Sequence, residues 1–368
     1  MTMSIPLRQV AIVAQDVGRP AIKLDAPVPS LSPDMILVKT AAVAVNPVDT
    51  KLLDYSATSG AVIGHDFAGT IVALGADAEA AGRLALGDRV AGLVHGMNKL
   101  QPEIGAFAEY VGAHADLVLK IPDHMSFEDA ASLGVGVATA ALAIFGELGI
   151  PMPIVPVEKP ELTEHEEDPR QYVLVAGGST ASGTRAIQLL KHAGFSPIAT
   201  CSPANFELAL RFGADKIFDY HSPTCAADIR AYTRNELASA LDCVTQADTT
   251  QLCYAAIGRA GGRYVSLDPF QKAVVRTRPL TIDPSWVLAL TIFGREVALE
   301  GDYGREARPQ DRQLGKQVFA IVQDLLDRGL IDTHPIKLMP GGWEGVIEGV
   351  EMLQTQNPSG YKLVYSIP

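Results

Sequence analysis

Cysteine is scarce in this chain, and the few that occur do not cluster. Four cysteines stand among 368 residues, at Cys201, Cys225, Cys243 and Cys253, and no two of them form a CxxC pair. A disulfide framework needs closely placed pairs in a secreted chain, and the N-terminus shows no secretory signal. We therefore expect four reduced thiols, buried in the fold.

Positive charge is also in short supply. The chain has 30 Lys and Arg against 42 Asp and Glu, a formal net charge of -12. Nucleic acids and anionic membranes attract proteins that carry a positive field, so we expect no nucleic acid and no membrane as partner. With 48% hydrophobic and 20% charged residues, the composition is that of a globular α/β enzyme, long enough for two domains.

One apolar segment, from Ala130 to Ile150, is long enough to cross a membrane. Its Ala and Gly content makes it only weakly hydrophobic, and Ser126 with Asp129 before it forms the N-cap pattern of a soluble helix. We interpret this segment as a buried helix and expect the protein to be cytoplasmic.

The two halves of the chain differ in their pattern. From Gln171 onward, strand-like runs such as "YVLVAGG" and "PIATCS" alternate with helical stretches, which is typical of a doubly wound parallel sheet. The first half has short strands separated by Gly and Asp turns, which indicates a barrel-like antiparallel β domain. Between them, residues 151–171 are rich in proline and acid, and we expect a surface connection there.

A glycine-rich turn, "VAGGSTASGTRAIQLL", follows the first strand of the second half and opens a helix. This context suits the pyrophosphate of a dinucleotide, which binds at a helix N-terminus. The turn is not a strict G-x-G-x-x-G and would be weak evidence alone, but it stands at the head of successive βα units. The predicted contacts are Gly178, Ser179, Thr180, Ala181 and Ser182.

The end of the second strand of this half indicates which dinucleotide binds. An acid there would bind the ribose 2′-hydroxyl of NAD, but the sequence from Thr200 to Asn205 contains none. A missing carboxylate favours NADPH, whose 2′-phosphate an acid would repel. The residues expected beside that phosphate are Ser202, Pro203, Ala204, Asn205 and Tyr220.

Longer motifs carry a family resemblance. "AVNPVDTK", "IGHDFAGTIVALG", "LGDRVAGL" and "GAFAEYVGA" resemble the medium-chain dehydrogenase/reductase superfamily. "VLVAGGSTASGT", "PIATCSPANF", "ALDCVTQADTT" and "AAIGRAGGRYVSLDPF" are closer to the trans-acting enoyl reductases of fungal highly reducing polyketide synthases. The resemblance implies a GroES-like β-barrel catalytic domain, residues 1–149 and 306–368, and a Rossmann NADPH-binding domain, residues 150–305.

The same resemblance raises the question of zinc, since His65 stands where zinc alcohol dehydrogenases of the superfamily have a metal ligand. A catalytic zinc needs further ligands, usually thiolates, in a tetrahedral set. The corresponding positions hold Ala44 to Pro47 and Val135, and the cysteine-rich lobe expected near residues 95–110 is missing. We predict no metal and interpret His65 as a histidine of a barrel turn.

The resemblance also implies functional residues. Hydride transfer to an enoyl thioester develops charge on the thioester oxygen, and the expected donors are Lys51 and Thr139. The implied cofactor contacts, besides those named above, are Val48, Asp49, Thr50, Lys51, Leu267, Asp268, Tyr361 and Lys362. The implied substrate contacts are Thr139, Ala140, Ala141, Leu142, Ala143, Ile144, Phe145, Gly146, Glu147, Phe270 and Phe293.

The expected partner is the acyl carrier domain of a polyketide synthase. Carrier domains are usually acidic, so docking on this acidic protein needs a local basic surface. The candidates are Arg259, Arg263, Lys272, Arg276 and Arg278. Two other functions stay open: a free-standing quinone or enone reductase of the same superfamily, and a nucleotide-binding protein without turnover.

Overall fold

The computed structural model describes residues 5–154, 171–356 and 358–368. The chain divides into two compact units. The first comprises Met1–Val135, Phe293–Asp327 and Thr333–Pro368, and the second comprises Gly136–Ile292 and Arg328–Asp332. The domain limits expected from the sequence lie further along the chain than the crossings at 135/136 and 292/293. Most of the expected proline-rich connection, residues 155–170, lies outside the described residues.

Both units contain strands and α-helices, and their bounds are as follows. In chain order, the strands among the described residues are β1 (Arg8–Asp16), β2 (Arg19–Pro27), β3 (Met35–Ala44), β4 (Asp66–Leu74), β5 (Arg89–Leu93), β6 (Tyr110–His114), β7 (Val118–Lys120), β8 (Tyr172–Ala176), β9 (Ser196–Cys201), β10 (Lys216–Asp219), β11 (Ser239–Asp242), β12 (Gly262–Ser266), β13 (Ile282–Trp286), β14 (Ile336–Met339) and β15 (Lys362–Ser366). The α-helices are α1 (Pro47–Tyr55), α2 (Ala76–Ala80), α3 (Phe127–Ala130), α4 (Gly134–Ala141), α5 (Ala181–His192), α6 (Phe206–Arg211), α7 (Cys225–Tyr232), α8 (Ala247–Ala256), α9 (Lys272–Val275), α10 (Pro309–Asp327) and α11 (Gly342–Thr355).

The first unit is built on a mostly antiparallel sheet. Its strand order is β14-β15-β3-β4-β5-β7, β6 pairs with β3, and β1 with β2 forms a separate two-stranded ribbon. The β3–β4 pairing contains register shifts, one of them between Thr40 and Ala42, and such bulges bend a sheet. Gly69 lies beside this bend, where a Cβ would stand 2.1 Å from the Lys39 carbonyl oxygen. The strands therefore need a glycine at this point.

The second unit contains a six-stranded parallel sheet in the order β10-β9-β8-β11-β12-β13. The apolar residues of β8, Val173 to Ala176, are buried, as expected for a strand with both faces covered. The strand order reverses between β8 and β11, and ligands of such sheets bind beyond the carboxyl ends of the strands at this switch point. The doubly wound sheet predicted from the alternating pattern is confirmed.

The cysteines lie in the second unit and are all free. Cys201, Cys225 and Cys253 are buried, whereas Cys243 is partly buried. Burial raises the pKa of the Cys201 and Cys225 thiols to about 11, with nearby acids adding to the effect. These two thiols are therefore protonated and unreactive at neutral pH.

The apolar segment Phe127–Glu147 passes by length and composition as a membrane span, but 89% of its most apolar window is buried inside the fold. Core helices of soluble proteins meet the same criteria, and the prediction of a buried helix agrees with this burial. The helix is less regular than expected, because α4 continues into a π-helical turn at Leu142–Glu147.

A returning segment near the C-terminus is held against α5. Arg185 Nη1 and Gln188 Nε2 donate to the Asp332 carbonyl at 3.0 and 3.1 Å, and Asp332 N donates back to Gln188 at 2.7 Å. His192 lies one helical turn further on, 2.9 Å from the Leu330 carbonyl. Burial lowers the pKa of Arg185 to about 10, which leaves its guanidinium charged. This clasp fixes residues 328–332 to the second unit.

Candidate active site

The N-terminus of α1 and the turn before β4 form a buried polar cluster in the first unit. Asn46 caps α1, and its backbone N–H donates to one carboxylate oxygen of Asp49 at 2.7 Å. The other oxygen of Asp49 lies 2.5 Å from His65 Nδ1, and both side chains are about 1% exposed. The sequence predicts Asp49 as a cofactor contact; the structure places its carboxylate on His65 and on the helix cap.

A second carboxylate, Asp66, extends this cluster. It accepts a hydrogen bond from Val135 N at 2.6 Å, from the Asn46 amide at 3.0 Å and from the Lys362 ammonium. Lys362 Nζ also donates to Asn46 Oδ1 at 2.8 Å. Removing one partner of a buried ion pair leaves an uncompensated charge, so this lysine is needed by the fold. Its expected cofactor contact is untested, and the pairing with Asp66 was not visible in the sequence.

The residues around His65, where zinc alcohol dehydrogenases of the superfamily bind their metal, include no cysteine. Asn46 and Val135 are engaged with Asp66, and His65 presents Nδ1 to Asp49. His65 Nε2 is buried and has no hydrogen-bond partner among the described residues. Within those residues, no group of three or more His, Cys, Asp or Glu side chains could hold a metal ion. The donor set therefore does not fit a catalytic zinc.

Two further histidines surround Phe293, a predicted substrate contact. Phe293 is buried and stacks on His95, with ring centroids 6.1 Å apart, and its ring is tilted against that of His114, with centroids 5.9 Å apart. Burial, assisted by the neighbouring His65, lowers the pKa of His95 to about 3. Burial also lowers the pKa of His114 to about 4, against the effect of Asp34. Both rings are therefore neutral at physiological pH.

The predicted catalytic residues lie on two helices. Lys51 is exposed on α1, beside Val48, which is half-buried, and Thr50, whose hydroxyl donates to the Pro47 carbonyl at 2.9 Å. Thr139 lies on α4 and is 7% exposed.

Of the remaining predicted substrate residues on this helix, Ala140 and Ala141 lie at the end of α4, and Leu142 to Glu147 form a π-helical turn. Such turns are rare and occur often at functional sites. The end of this turn is held by Arg263, which donates to the Leu148 carbonyl at 3.0 Å.

The glycine-rich turn after β8 has the expected geometry. Gly177 has a φ of +80°, and a Cβ on Gly178 would stand 2.6 Å from the Ala199 side chain. A Cβ on Gly183 would stand 2.3 Å from the Gly177 carbonyl oxygen. Thr180 caps α5: its hydroxyl accepts from Gly183 N at 3.0 Å and donates to the Gly177 carbonyl at 2.8 Å. Ser179, Ala181 and Ser182 complete the turn, which fits a dinucleotide pyrophosphate at the start of α5.

The end of β9 carries the residues predicted for cofactor choice. Asn205 Nδ2 donates to the Ser202 hydroxyl at 3.1 Å, and Pro203 and Ala204 between them are exposed. Tyr220 is 43% exposed. Asp219, which was not predicted as a site residue, pairs with Cys201 across the β9–β10 ladder. Its carboxylate accepts from His221 N at 3.0 Å, and this bond is the main reason for the lowered pKa of Asp219.

The remaining predicted contacts are divided between the units. In the second unit, Leu267 and Asp268 follow β12. The rings of Phe270 and Tyr264 meet edge-on, with their centroids 6.4 Å apart. In the first unit, Tyr361 precedes β15, and the Lys337 ammonium lies 5.5 Å from its ring centroid.

Comparison with known proteins decides the family. The model of the alcohol dehydrogenase GroES-like domain matches residues 32–123, and that of the zinc-binding dehydrogenase matches residues 181–301. The trans-enoyl reductase caaB of Aspergillus niger is 61% identical over 100% of this chain and 99% of its own. The trans-enoyl reductase thnE of Trichoderma harzianum is 60% identical, covering 99% of this chain and 97% of its own. The chain belongs to the trans-enoyl reductases.

This trans-enoyl reductase shares its fold with solved structures. The CurK enoyl reductase superposes with a TM-score of 0.73 at 19% identity, covering 98% of this chain and 100% of that one. The quinone oxidoreductase of Coxiella burnetii gives a TM-score of 0.67 at 20% identity, with the same coverage. The predicted superfamily, with its GroES-like and Rossmann parts, is confirmed.

Proposed function

We propose that this protein is an NADPH-dependent trans-acting enoyl reductase. It saturates the α,β-double bond of polyketide enoyl thioesters that the acyl carrier domain of a synthase presents to it in the cytoplasm. The observation that carries the proposal is the full-length match, at 58% identity or more, to proteins named trans-enoyl reductases. The turn from Gly177 to Gly183 supports a dinucleotide cofactor, because its glycines leave no room for side chains.

The absence of an acid among residues 201–205 supports NADPH over NADH. Ser202, Asn205 and Tyr220 offer hydroxyl and amide donors for a 2′-phosphate. The carboxylate of Asp219, next to Tyr220 in the sequence, is hydrogen-bonded to His221. When bound, the reduced nicotinamide would supply the hydride for the β-carbon of the enoyl thioester, and the α-carbon of the resulting enolate takes up a proton. The protein's own task is to orient the thioester and to stabilise the charge that develops on its oxygen.

Lys51 and Thr139 are the residues we assign to that task. The ammonium of Lys51, exposed on α1, is a donor for the enolate oxygen. The hydroxyl of Thr139 orients the thioester carbonyl, and residues Ala140 to Glu147 with Phe270 and Phe293 border the acyl chain.

The reaction proposed here uses no zinc. The support is the set of residues around His65: Ala44 to Pro47 and Val135, which stand where the resemblance places thiolate ligands, contain no cysteine. Elemental analysis of protein purified without chelators should find much less than one zinc per chain. One zinc per chain, together with activity that is lost on stripping and restored by zinc, would contradict this part of the proposal.

The function is tested by steady-state oxidation of NADPH with three substrates of similar size: an enoyl pantetheine thioester, a free enone and a quinone. We expect the thioester to give the highest kcat/KM. A preference for the quinone or the enone would identify a free-standing reductase instead. Cofactor binding without turnover of any of the three would indicate a non-catalytic nucleotide-binding protein.

A further inference from the structure

The turn between β11 and α8 contains a strained residue. Thr245 has a φ of +58°, and among the described residues it is the sole β-branched one with a positive φ. This conformation is a genuine outlier for a β-branched side chain, and such strain is found mainly at functional sites, where the surroundings enforce it.

The fully buried carboxylate of Asp242 enforces the turn. One of its oxygens accepts from Val244 N at 3.0 Å and from Thr245 N at 2.8 Å. The other accepts from the Tyr264 hydroxyl at 2.8 Å and from the Thr249 hydroxyl at 3.0 Å. Burial raises the pKa of Asp242, and these four donors oppose that rise.

The strained turn lies between the two segments that we assign to the cofactor. On one side, Val244 packs against the glycine-rich turn: its Cγ2 lies 2.7 Å from where a Cβ on Gly177 would stand. On the other side, Leu267 N donates to the Thr245 hydroxyl at 3.2 Å. The hydroxyl itself donates to the Asp242 carbonyl at 3.3 Å. Since β8, β11 and β12 are neighbours in the sheet, these contacts link their three carboxyl ends.

We infer that Thr245 is a positioning residue for the dinucleotide. Its backbone conformation and its hydroxyl fix the spacing between the Gly177 turn and the Leu267–Asp268 segment, and this spacing sets the affinity for the nicotinamide half of the cofactor. The inference rests on the proposed function, because it assumes that both segments bind NADPH. Thr245 acts through Leu267 and Val244 and does not itself take part in the chemistry.

Three substitutions separate the hydroxyl from the backbone. Thr245→Val keeps the β-branched shape and removes the hydroxyl, Thr245→Ser keeps the hydroxyl, and Thr245→Gly relieves the strain and removes the hydroxyl. Loss of one hydrogen bond predicts a dissociation constant for NADPH raised about five- to tenfold in Thr245→Val. Thr245→Ser should bind as the wild type does, and Thr245→Gly should bind weakly even if its Tm rises.

Amide hydrogen exchange without nucleotide gives an independent readout. The Leu267 amide should exchange faster in Thr245→Val and Thr245→Gly than in the wild type and Thr245→Ser. Thr277→Val is the matched control, because this exposed hydroxyl donates to the Val274 carbonyl at the end of α9. It should change neither the dissociation constant nor the exchange of Leu267.

Binding of NADPH by Thr245→Val with wild-type affinity would overturn the inference and leave the proposed function intact. Equal weakening in Thr245→Ser and Thr245→Val would also overturn it, because the hydroxyl would then have no specific part. A wild-type protein that binds neither NADPH nor NADH would overturn the proposed function and this inference together.

Discussion

Lys51 offers the most direct residue-scale test of the chemistry. If its ammonium stabilises the enolate, Lys51→Ala should lower kcat about a hundredfold, the usual effect of removing one oxyanion donor. The dissociation constant for NADPH should change little, and Lys51→Arg should recover part of the rate. Weaker NADPH binding with an unchanged kcat would instead show that the residue positions cofactor. Thr139→Val is the companion variant, read by kcat and checked for folding by its Tm.

Ser202 tests cofactor choice at the same scale. A phosphate held by charge-assisted hydrogen bonds contributes about 1.5–3 kcal/mol, which predicts a roughly tenfold to hundredfold preference for NADPH over NADH. Ser202→Asp should reverse the preference by repelling the 2′-phosphate, and Tyr220→Phe should narrow it. The measurement is the pair of dissociation constants by titration calorimetry. Equal values for the two cofactors in the wild type would refute the assignment.

The buried His95 makes the stability of the folded protein depend on pH. Its pKa in the folded chain is about 3, whereas an unfolded chain takes up this proton near pH 6.5. Between these values the unfolded state binds more protons, so stability falls as the pH falls. From pH 7 to pH 5 the loss from His95 is about 2 kcal/mol. His114, with a pKa of about 4, acts in the same direction.

Urea unfolding at pH 7 and pH 5 measures this dependence. The wild type should lose about 2 kcal/mol more than His95→Phe, which has no proton to gain. The same loss in both proteins would mean that His95 does not remain neutral in the folded state.

Two of the predicted cofactor residues make buried contacts that the sequence did not indicate. Asp49 and Lys362 stand in motifs that suggest cofactor contacts, yet the structure engages them with His65 and Asp66. The sequence could not show these pairings, because Lys362 and Asp66 are 296 positions apart and meet only through the β15–β3–β4 pairing. The roles of Asp242 and Thr245 were not predicted either, because composition does not reveal the positive φ of Thr245.

At the scale of elements, the basic residues around α9 divide into two kinds. Arg278 donates to the carbonyls of Tyr254, Ile257 and Gly258 and so closes the end of α8, and Arg263 closes the end of the π-helical turn. These two arginines therefore stabilise the fold, and their part in the expected docking surface stays a prediction. Arg259, Lys272 and Arg276 are exposed, make none of these helix-end contacts and remain candidates for contact with an acidic carrier domain.

Charge reversal of Lys272 and Arg276 tests the docking surface. Lys272→Glu with Arg276→Glu should raise the KM for a carrier-bound enoyl substrate several-fold and leave a free pantetheine thioester unaffected. Added salt should reduce the difference, since exposed charges are screened over about 8–10 Å. Arg19→Glu with Lys316→Glu makes the same charge change at exposed positions of β2 and α10 and is the control. Equal losses on both substrates would exclude a docking role.

The sequence predicted elements where the pattern is local and repeated. Alternating βα units specify the parallel sheet, because each strand and helix carries its own periodicity. The π-helical turn at Leu142–Glu147 and the clasp of residues 328–332 were not predicted. Both depend on tertiary contacts, with Arg263 and with α5, that no local pattern encodes.

For the whole molecule, the central proposal is that the chain reduces an acyl group that another protein carries. The fold is compatible with this proposal, and the family agrees with it, since full-length relatives are named trans-enoyl reductases. Neither of them identifies the carrier, because substrate presentation depends on a surface and the superfamily shares its site chemistry with reductases of free substrates.

The most direct measurement follows the mass of the carrier itself. An acyl carrier domain loaded with an enoyl chain is incubated with this protein and NADPH. The mass of the carrier-bound acyl group is then measured by mass spectrometry. We expect a gain of two hydrogens that requires both protein and NADPH and that proceeds with a higher kcat/KM than for the same acyl group on free pantetheine. An unchanged mass on the carrier, with ready reduction of the free thioester or of a small enone, would contradict the proposal.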